Sequence, residues 1–354
     1  MMIMNATKFL EDIKPSDEIV VVYNNDGDGV CSCTLLKKLL KMTGKKEPYI
    51  ISQPMPMDKN IIQRIHTTVP DKIIFLDIAA DQQHSVVSKL SGICDILIVD
   101  HHQVFKNMNS RKTNTIVHYN PRIEEPEVYK STSYCVYKIC SKISDMAEDL
   151  WIAGVGMVSD YNLDDSKDVV RQIREKYLIE GPLYGSKLGR LADMISATRA
   201  TNLLSCDQMV GVMETATYEG FENTKNADKM VESQRTIESE IAAIIMDAEE
   251  KIEQTGKIVF YNIKSRFNLG SSISTKISEK FQKNLVLIYE KSGNRIKVSA
   301  RNQAKNINAG KAMQRAAKEV GGSGGGHEAA AGATIPADKW DEFKKLLIKN
   351  VNKS

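Results

Sequence analysis

Three short apolar runs, each ending abruptly in an acidic residue, constrain this chain more than any other feature. Residues 18–23 (EIVVVY) run into Asn-Asn-Asp-Gly-Asp-Gly, residues 71–79 read DKIIFLDIA, and residues 94–102 read CDILIVDHH. Near-continuous β-branched runs, unlike alternating apolar and polar ones, belong to strands buried on both faces. Helical periodicity lies between them, as in VCSCTLLKKLLKMTG, where Gly44 is placed to stop the helix. Strands alternating with helices predict a mostly parallel α/β sheet. The acidic residues then fall at strand C-termini, the edge where open α/β sheets bind ligands.

From about residue 130 the pattern turns helical, and residues 227–256 read as one long charged helix. Beyond it, KIVFYNI (257–263), NLVLIYEK (284–291) and RIKVSAR (295–301) read as strands. The helical segments SSISTKISEKF and AGKAMQRAAKEV, a Gly-rich loop and a terminal helix complete the chain. At 354 residues the chain is long enough for two domains. The expected division is an α/β domain over 1–165, a helical connector over 166–255 and a smaller α/β domain over 256–354.

Basic and acidic side chains nearly balance, 48 against 45, so nucleic-acid binding requires a local basic surface and not global charge. Composition, 42% apolar and 6% aromatic, excludes a disordered or collagenous chain. Six cysteines without a CxxC pair argue against a disulfide framework or a zinc knuckle. No run approaches the roughly 18 apolar residues of a membrane helix, and the first residues lack the features of a signal peptide. The expectation is a cytoplasmic protein without a membrane partner.

Four segments carry candidate chemistry: Asn24 to Gly29, Asp77, Asp100-His101-His102, and Asp160. Singly, each has a plain structural reading as a turn, a helix cap or a satisfied histidine. Together, the parallel sheet brings the first three to one edge. So many carboxylates repel one another unless a cation holds them, and carboxylates mixed with imidazole suit Mn²⁺ or Mg²⁺. A pair of metals sharing ligands there would serve phosphoester hydrolysis. A calcium loop is the competing reading of NNDGDG; it fails because its twelfth position is Leu35, not Glu, and because a strand precedes it. A second constellation is Gly321-Gly322-Ser323-Gly324-Gly325-Gly326-His327, with Arg301 ending a strand in the same region. It fits neither a P-loop nor a dinucleotide fingerprint, and it reads as a phosphate or nucleotide cradle or as a plain connecting loop.

These pieces in this order resemble the DHH phosphoesterase superfamily, in the branch that carries a C-terminal DHHA1 domain with a GGGH motif. The segment GRLADMISATRATN further resembles the RecJ-like single-strand exonucleases of archaea. The resemblance implies an N-terminal DHH domain, a helical connector and a DHHA1 substrate-binding domain. It implies two divalent ions, Mn²⁺ preferred and Mg²⁺ accepted. One would be held by Asn24, Asp26 and Asp77, the other by Asp28, Asp77, His101 and Asp160, with Asp77 bridging. Asp100 would orient His101, and His102 would face the scissile phosphate. Arg301, Gly324, Gly325, Gly326 and His327 would bind the end of a nucleic acid. The family motif usually begins with histidine where this chain has Asn24, a neutral and weaker ligand position.

The resemblance therefore implies a metal-dependent exonuclease that releases mononucleotides from single-stranded DNA or RNA, in DNA repair or replication. Lys264, Arg266, Arg295, Lys297 and Lys305 are placed to track a backbone or to form a solvated face. One alternative hydrolyses short oligonucleotides or small nucleotides such as phosphoadenosine phosphate or cyclic dinucleotides. Another is a non-catalytic RecJ-like scaffold of the replication machinery, with the GINS complex as partner.

Overall fold

A computed structural model describes residues 2–111, 114–161 and 163–352. The chain separates into a unit ending at Gln234 and a unit beginning at Arg235. In the first unit the elements run α1 (Met2–Glu11), β1 (Ile19–Asn24), α2 (Gly27–Met42), β2 (Tyr49–Gln53), α3 (Ile61–His66), β3 (Lys72–Leu76), α4 (His84–Leu90), β4 (Asp95–Val99), β5 (Ser110–Arg111) and β6 (Thr115–Tyr119). Helices α5 (Thr132–Cys140), α6 (Leu150–Ser159), α7 (Lys167–Tyr177), α8 (Lys187–Thr201) and α9 (Cys206–Thr215) follow. Helix α10 (Ala227–Lys251) contains the division between the units, so the helices expected as a connector over 166–255 fall on both sides of it.

The first sheet has the order β2-β1-β3-β4-β6-β5, parallel throughout except where short β5 runs against β6. Its apolar runs are continuous because both faces are covered. Val20, Val22, Ile73, Phe75, Ile96 and Ile98 pack with Ile61 and Ile65 of α3 and Val87 and Leu90 of α4. Val21, Tyr23, Ile74, Leu76, Leu97 and Val99 join the core formed with α1, α2, α5 and α6. Burying each such aliphatic side chain stabilises the fold by roughly 1.5–3 kcal/mol. Helix α2, which follows β1, lies on one face and α4, which follows β3, on the other. The chain therefore changes direction between neighbouring β1 and β3, which opens a crevice at their C-terminal ends.

The second unit continues with β7 (Glu253–Thr255), β8 (Ile258–Asn262), α11 (Gly270–Lys280), β9 (Leu285–Ser292), β10 (Arg295–Arg301), α12 (Ala309–Glu319), β11 (Ser323–Gly326), β12 (Ala330–Pro336) and α13 (Trp340–Asn352). These strands form a mixed sheet, β11-β12-β10-β9-β8-β7, in which only β8 and β9 are parallel among the described residues. Leu285, Leu287, Ile296 and Val298 pack with Met313 of α12 and Phe343 and Leu347 of α13. Two sequence expectations are corrected here. The charged helix expected to reach residue 256 stops at Lys251, because Glu253–Thr255 pair with β8 as an edge strand. The Gly run expected as a loop is in part a strand: Ser323–Gly326 pair antiparallel with β12. No helix among the described residues is long and apolar enough to cross a membrane.

Candidate metal centre

The first acidic segment is shaped by the turn from β1 into α2. Asp26 caps the helix, its Oδ1 accepting the Gly29 N–H at 3.0 Å. The turn is tight enough that any Cβ at Gly29 would collide with the Asn24 carbonyl. Two residues on, in the first turn, Asp28 is 2% exposed, and the N-terminus of α5 holds it. Its Oδ2 accepts the Thr132 N–H at 2.6 Å and its Oδ1 the Ser133 N–H at 2.9 Å. Asp77 leaves β3 with φ at +58°, a left-handed backbone that costs about 1–2 kcal/mol and turns the side chain over the crevice. Its Oδ1 accepts the Thr132 hydroxyl at 3.1 Å and lies 3.2 Å from His101 Nε2.

Asp100, His101 and His102 follow β4, and Asp160 caps the C-terminus of α6. The structure brings Asn24, Asp26, Asp28, Asp77, Asp100, His101 and His102 together at one edge of the first sheet, as the alternation of strands and helices predicts, and adds Asp160 from the end of α6. Two sets of side chains can each converge on one ion: Asp77, His101 and His102, and Asp28, His101 and Asp160.

The electrostatics call for a cation. Burial, then the charges of Asp26, Asp28, Asp100 and Asp160, push the Asp77 carboxyl well above its ordinary range. Burial and Asp160 raise Asp28 in the same way, against the Ser133 hydrogen bonds. Asp160 is pushed up to about 7, by burial first, although Tyr129 hydrogen-bonds it. No Lys or Arg pairs with these carboxylates among the described residues. His101 is brought down to about 4, mainly by burial, so near neutral pH its ring is uncharged, the form that ligates metals. Its Nδ1 stands 3.5 Å from Asp160 Oδ2, and both atoms are buried without a hydrogen bond. A ring nitrogen and a carboxylate oxygen, both buried without a hydrogen bond and facing each other, fit a divalent ion between them.

Two expected details change. Asp100 orients His102, not His101: its Oδ1 lies 2.7 Å from His102 Nδ1, because the imidazole two residues on folds back over the strand end. Burial opposes both shifts, yet this contact together with the neighbouring charges and the His101 N–H lowers the Asp100 pKa, and this contact with the charges of Asp160 and Asp26 raises that of His102. Asn24 turns its amide nitrogen to the carboxylates, donating to Asp26 Oδ2 at 2.6 Å and Asp77 Oδ2 at 3.2 Å. Its oxygen is taken by the Asn25 N–H, not offered as a ligand.

Sequence reasoning missed the residues that support these groups. Thr132 and Ser133 hold Asp77 and Asp28, and the Tyr129 ring lies 5.2 Å from His101. Asn120 donates to the His102 carbonyl at 3.0 Å. Ser131-Thr132-Ser133 is a helix-start signal, but which carboxylate it would receive is a matter of three-dimensional placement.

In the second unit, Arg301 ends β10 opposite Ala330, and β12 pairs with β11 up to Gly326, opposite Ala331. Arg301, Gly324, Gly325, Gly326 and His327 therefore lie toward one end of this sheet. Arg301 donates to Thr275 Oγ1 at 2.8 Å, and its Nε is buried without a partner. The glycines have distinct roles. A Cβ at Gly324 would crowd α12, one at Gly325 would meet nothing, and Gly326 has φ at +141°. His327 is exposed.

Residues 18–157 match the DHH family, N-terminal domain, and residues 258–353 match the DHHA1 domain. The chain belongs to the DHH/DHHA1 superfamily and has the RecJ-like phosphoesterase fold. It is 23% identical over 365 residues to the uncharacterized protein MJ0988 of Methanocaldococcus jannaschii, a match that covers 97% of this chain and 94% of that protein. RecJ from Thermus thermophilus, solved with Mn²⁺, superposes with a TM-score of 0.74 at 15% identity. That match covers 99% of this chain but only 55% of RecJ, so this chain spans about half of that protein's length. CDC45 from Entamoeba histolytica superposes with a TM-score of 0.58 at 11% identity, covering 98% of both chains.

Proposed function

We propose that this protein is a divalent-metal-dependent phosphodiesterase that acts as an exonuclease on single-stranded DNA or RNA and releases mononucleotides. The observation that carries this reading is the pair of buried atoms without a hydrogen bond, His101 Nδ1 and Asp160 Oδ2, beside carboxylates with which no Lys or Arg pairs among the described residues. Asp28, Asp77, His101 and Asp160 would hold one ion. Asp26 and Asp77, with Asn24 beside them, mark the place for a second. Mn²⁺ suits the imidazole and carboxylate set better than Mg²⁺, which prefers oxygen alone. Such ions supply charge for phosphoryl oxygens and lower the pKa of water.

The protein's own groups do the positioning. Thr132, Ser133 and the α5 N-terminus fix the Asp28 and Asp77 carboxylates before any substrate arrives. Asp100 holds His102 at Nδ1, which leaves Nε2 to meet the phosphate and favours a proton there. Arg301 and His327 bind the sugar-phosphate end of the strand, and the open side of Gly325 lets a backbone come close.

The test is hydrolysis of end-labelled single-stranded DNA and RNA, short and long, with Mn²⁺ or Mg²⁺. Metal-dependent release of mononucleotides supports the proposal, and cleavage of the shortest substrates alone would replace it with a small-nucleotide hydrolase. No cleavage by folded, Mn²⁺-loaded protein would overturn it in favour of a non-catalytic scaffold, the reading to which Asn24 in the first acidic segment points.

A further inference from the structure

A second left-handed backbone near the metal centre, besides that of Asp77, belongs to the residue after Asp160. Tyr161 follows the C-terminus of α6 with φ at +53°, a position that helices ordinarily give to glycine or asparagine. This chain uses Asn202 in that way after α8 and, against the rule, an exposed Leu178 after α7, so it is the stacking and the place beside Asp160 that set Tyr161 apart. A tyrosine gains nothing there by burial, since Tyr161 is 81% exposed. Its ring instead stacks on Tyr184, with centroids 5.6 Å apart and planes 23° apart. Tyr184 is itself 43% exposed, in the short turn Leu183–Gly185 that precedes α8. Single exposed aromatics need no explanation. A stacked pair, one member on a left-handed backbone and joined directly to a carboxylate of the candidate centre, is a built feature.

We infer that Tyr161 and Tyr184 form a stacking surface for a nucleobase of the strand whose phosphodiester lies at the Asp160 side of the centre. This rests on the phosphodiesterase reading. Every base has a π-face, so the surface accepts all four and suits a nuclease without sequence preference. The left-handed backbone turns the Tyr161 ring out toward solvent, where a base can cover it, and Tyr184 backs the ring. The two tyrosines would hold the base while Asp160 and its neighbours hold the phosphate, which fixes the register of the strand.

The test is calorimetric binding of a short single-stranded oligonucleotide to the full chain with Ca²⁺, beside the same oligonucleotide with base-free tetrahydrofuran sugars. Tyr161→Ala and Tyr184→Ala should each weaken binding of the base-bearing strand by about 5- to 150-fold and leave the base-free strand unchanged. Tyr161→Phe and Tyr184→Phe should bind like the parent. Tyr161→Gly should raise the melting temperature by relieving the left-handed backbone, yet weaken binding as Ala does; a lower melting temperature would mean that the ring is structural. Equal losses on both strands, no loss, or a parent protein that binds both strands alike would overturn the stacking surface. Base-dependent binding by a parent protein that hydrolyses nothing with Mn²⁺ would overturn the phosphodiesterase reading and leave the stacking surface standing.

Discussion

Asp28, Asp77 and Asp160 all have raised pKa values in the fold, so without a cation their ionised forms oppose folding. The sign follows from linkage: the folded state binds these protons more tightly than the unfolded chain, so stability falls as pH rises from the ordinary Asp range toward about 7, the value for Asp160. His101, brought down to about 4, acts in the opposite sense between pH 4 and 6.5, but three carboxylates outweigh one imidazole, so metal-free protein should melt at a higher temperature near pH 5 than near pH 7.5, and saturating Mn²⁺ should shrink that difference by replacing the protons. Thermal melts with and without chelator check this; a pH dependence indifferent to Mn²⁺ would count against it. Asn24 is the other informative residue. Its amide nitrogen donates between Asp26 and Asp77, a place where an imidazole nitrogen could ligate. Asn24→His should tighten Mn²⁺ binding in calorimetry, and unchanged affinity would remove this position from the centre. The acidic and histidine residues were legible in sequence because they end apolar runs. The partner of Asp100 was not: whether a strand-terminal aspartate meets the first or the second following histidine depends on how the chain folds back.

At the scale of elements, β1, β3 and β4 were readable because burial on both faces leaves little room for polar residues. The strand β2 (YIISQ), partly exposed at the sheet edge, carries no such signal. Neither does β11, since glycines have no side-chain pattern to read; it is a strand by pairing with β12, and α12 and Ala333 leave little room for a Cβ at Gly324. Close packing also governs α6, which is apolar all round and lies against α2, α5 and α8. A Cβ at Gly156 would strike Ser133 Oγ and come within 3.0 Å of Asp28 Oδ1. Gly156→Ala should destabilise the protein by about 1–3 kcal/mol in urea unfolding and weaken metal binding, because Ser133 carries Asp28. A variant as stable as the parent would show that α5 and α6 have room to part.

For the whole molecule, the structure has two sheets, one parallel except for β5 and one mixed. The candidate metal ligands lie in the first unit, and Arg301 and His327 in the second. His327→Ala should raise KM for oligonucleotides without changing the Mn²⁺ content; loss of metal would refute the separation of roles. The support given by Tyr129, Asn120 and Thr132 was invisible to sequence reasoning, since each is brought to the centre by contacts between distant segments. Whether the carboxylates and His101 form a shared metal centre is decided by titrating Mn²⁺ into the parent protein and Asp77→Ala under calorimetry. Saturable binding by the parent and its loss in the folded variant are expected, because Asp77 touches His101 and lies beside Asn24. Equal Mn²⁺ binding by the two proteins would contradict a shared centre.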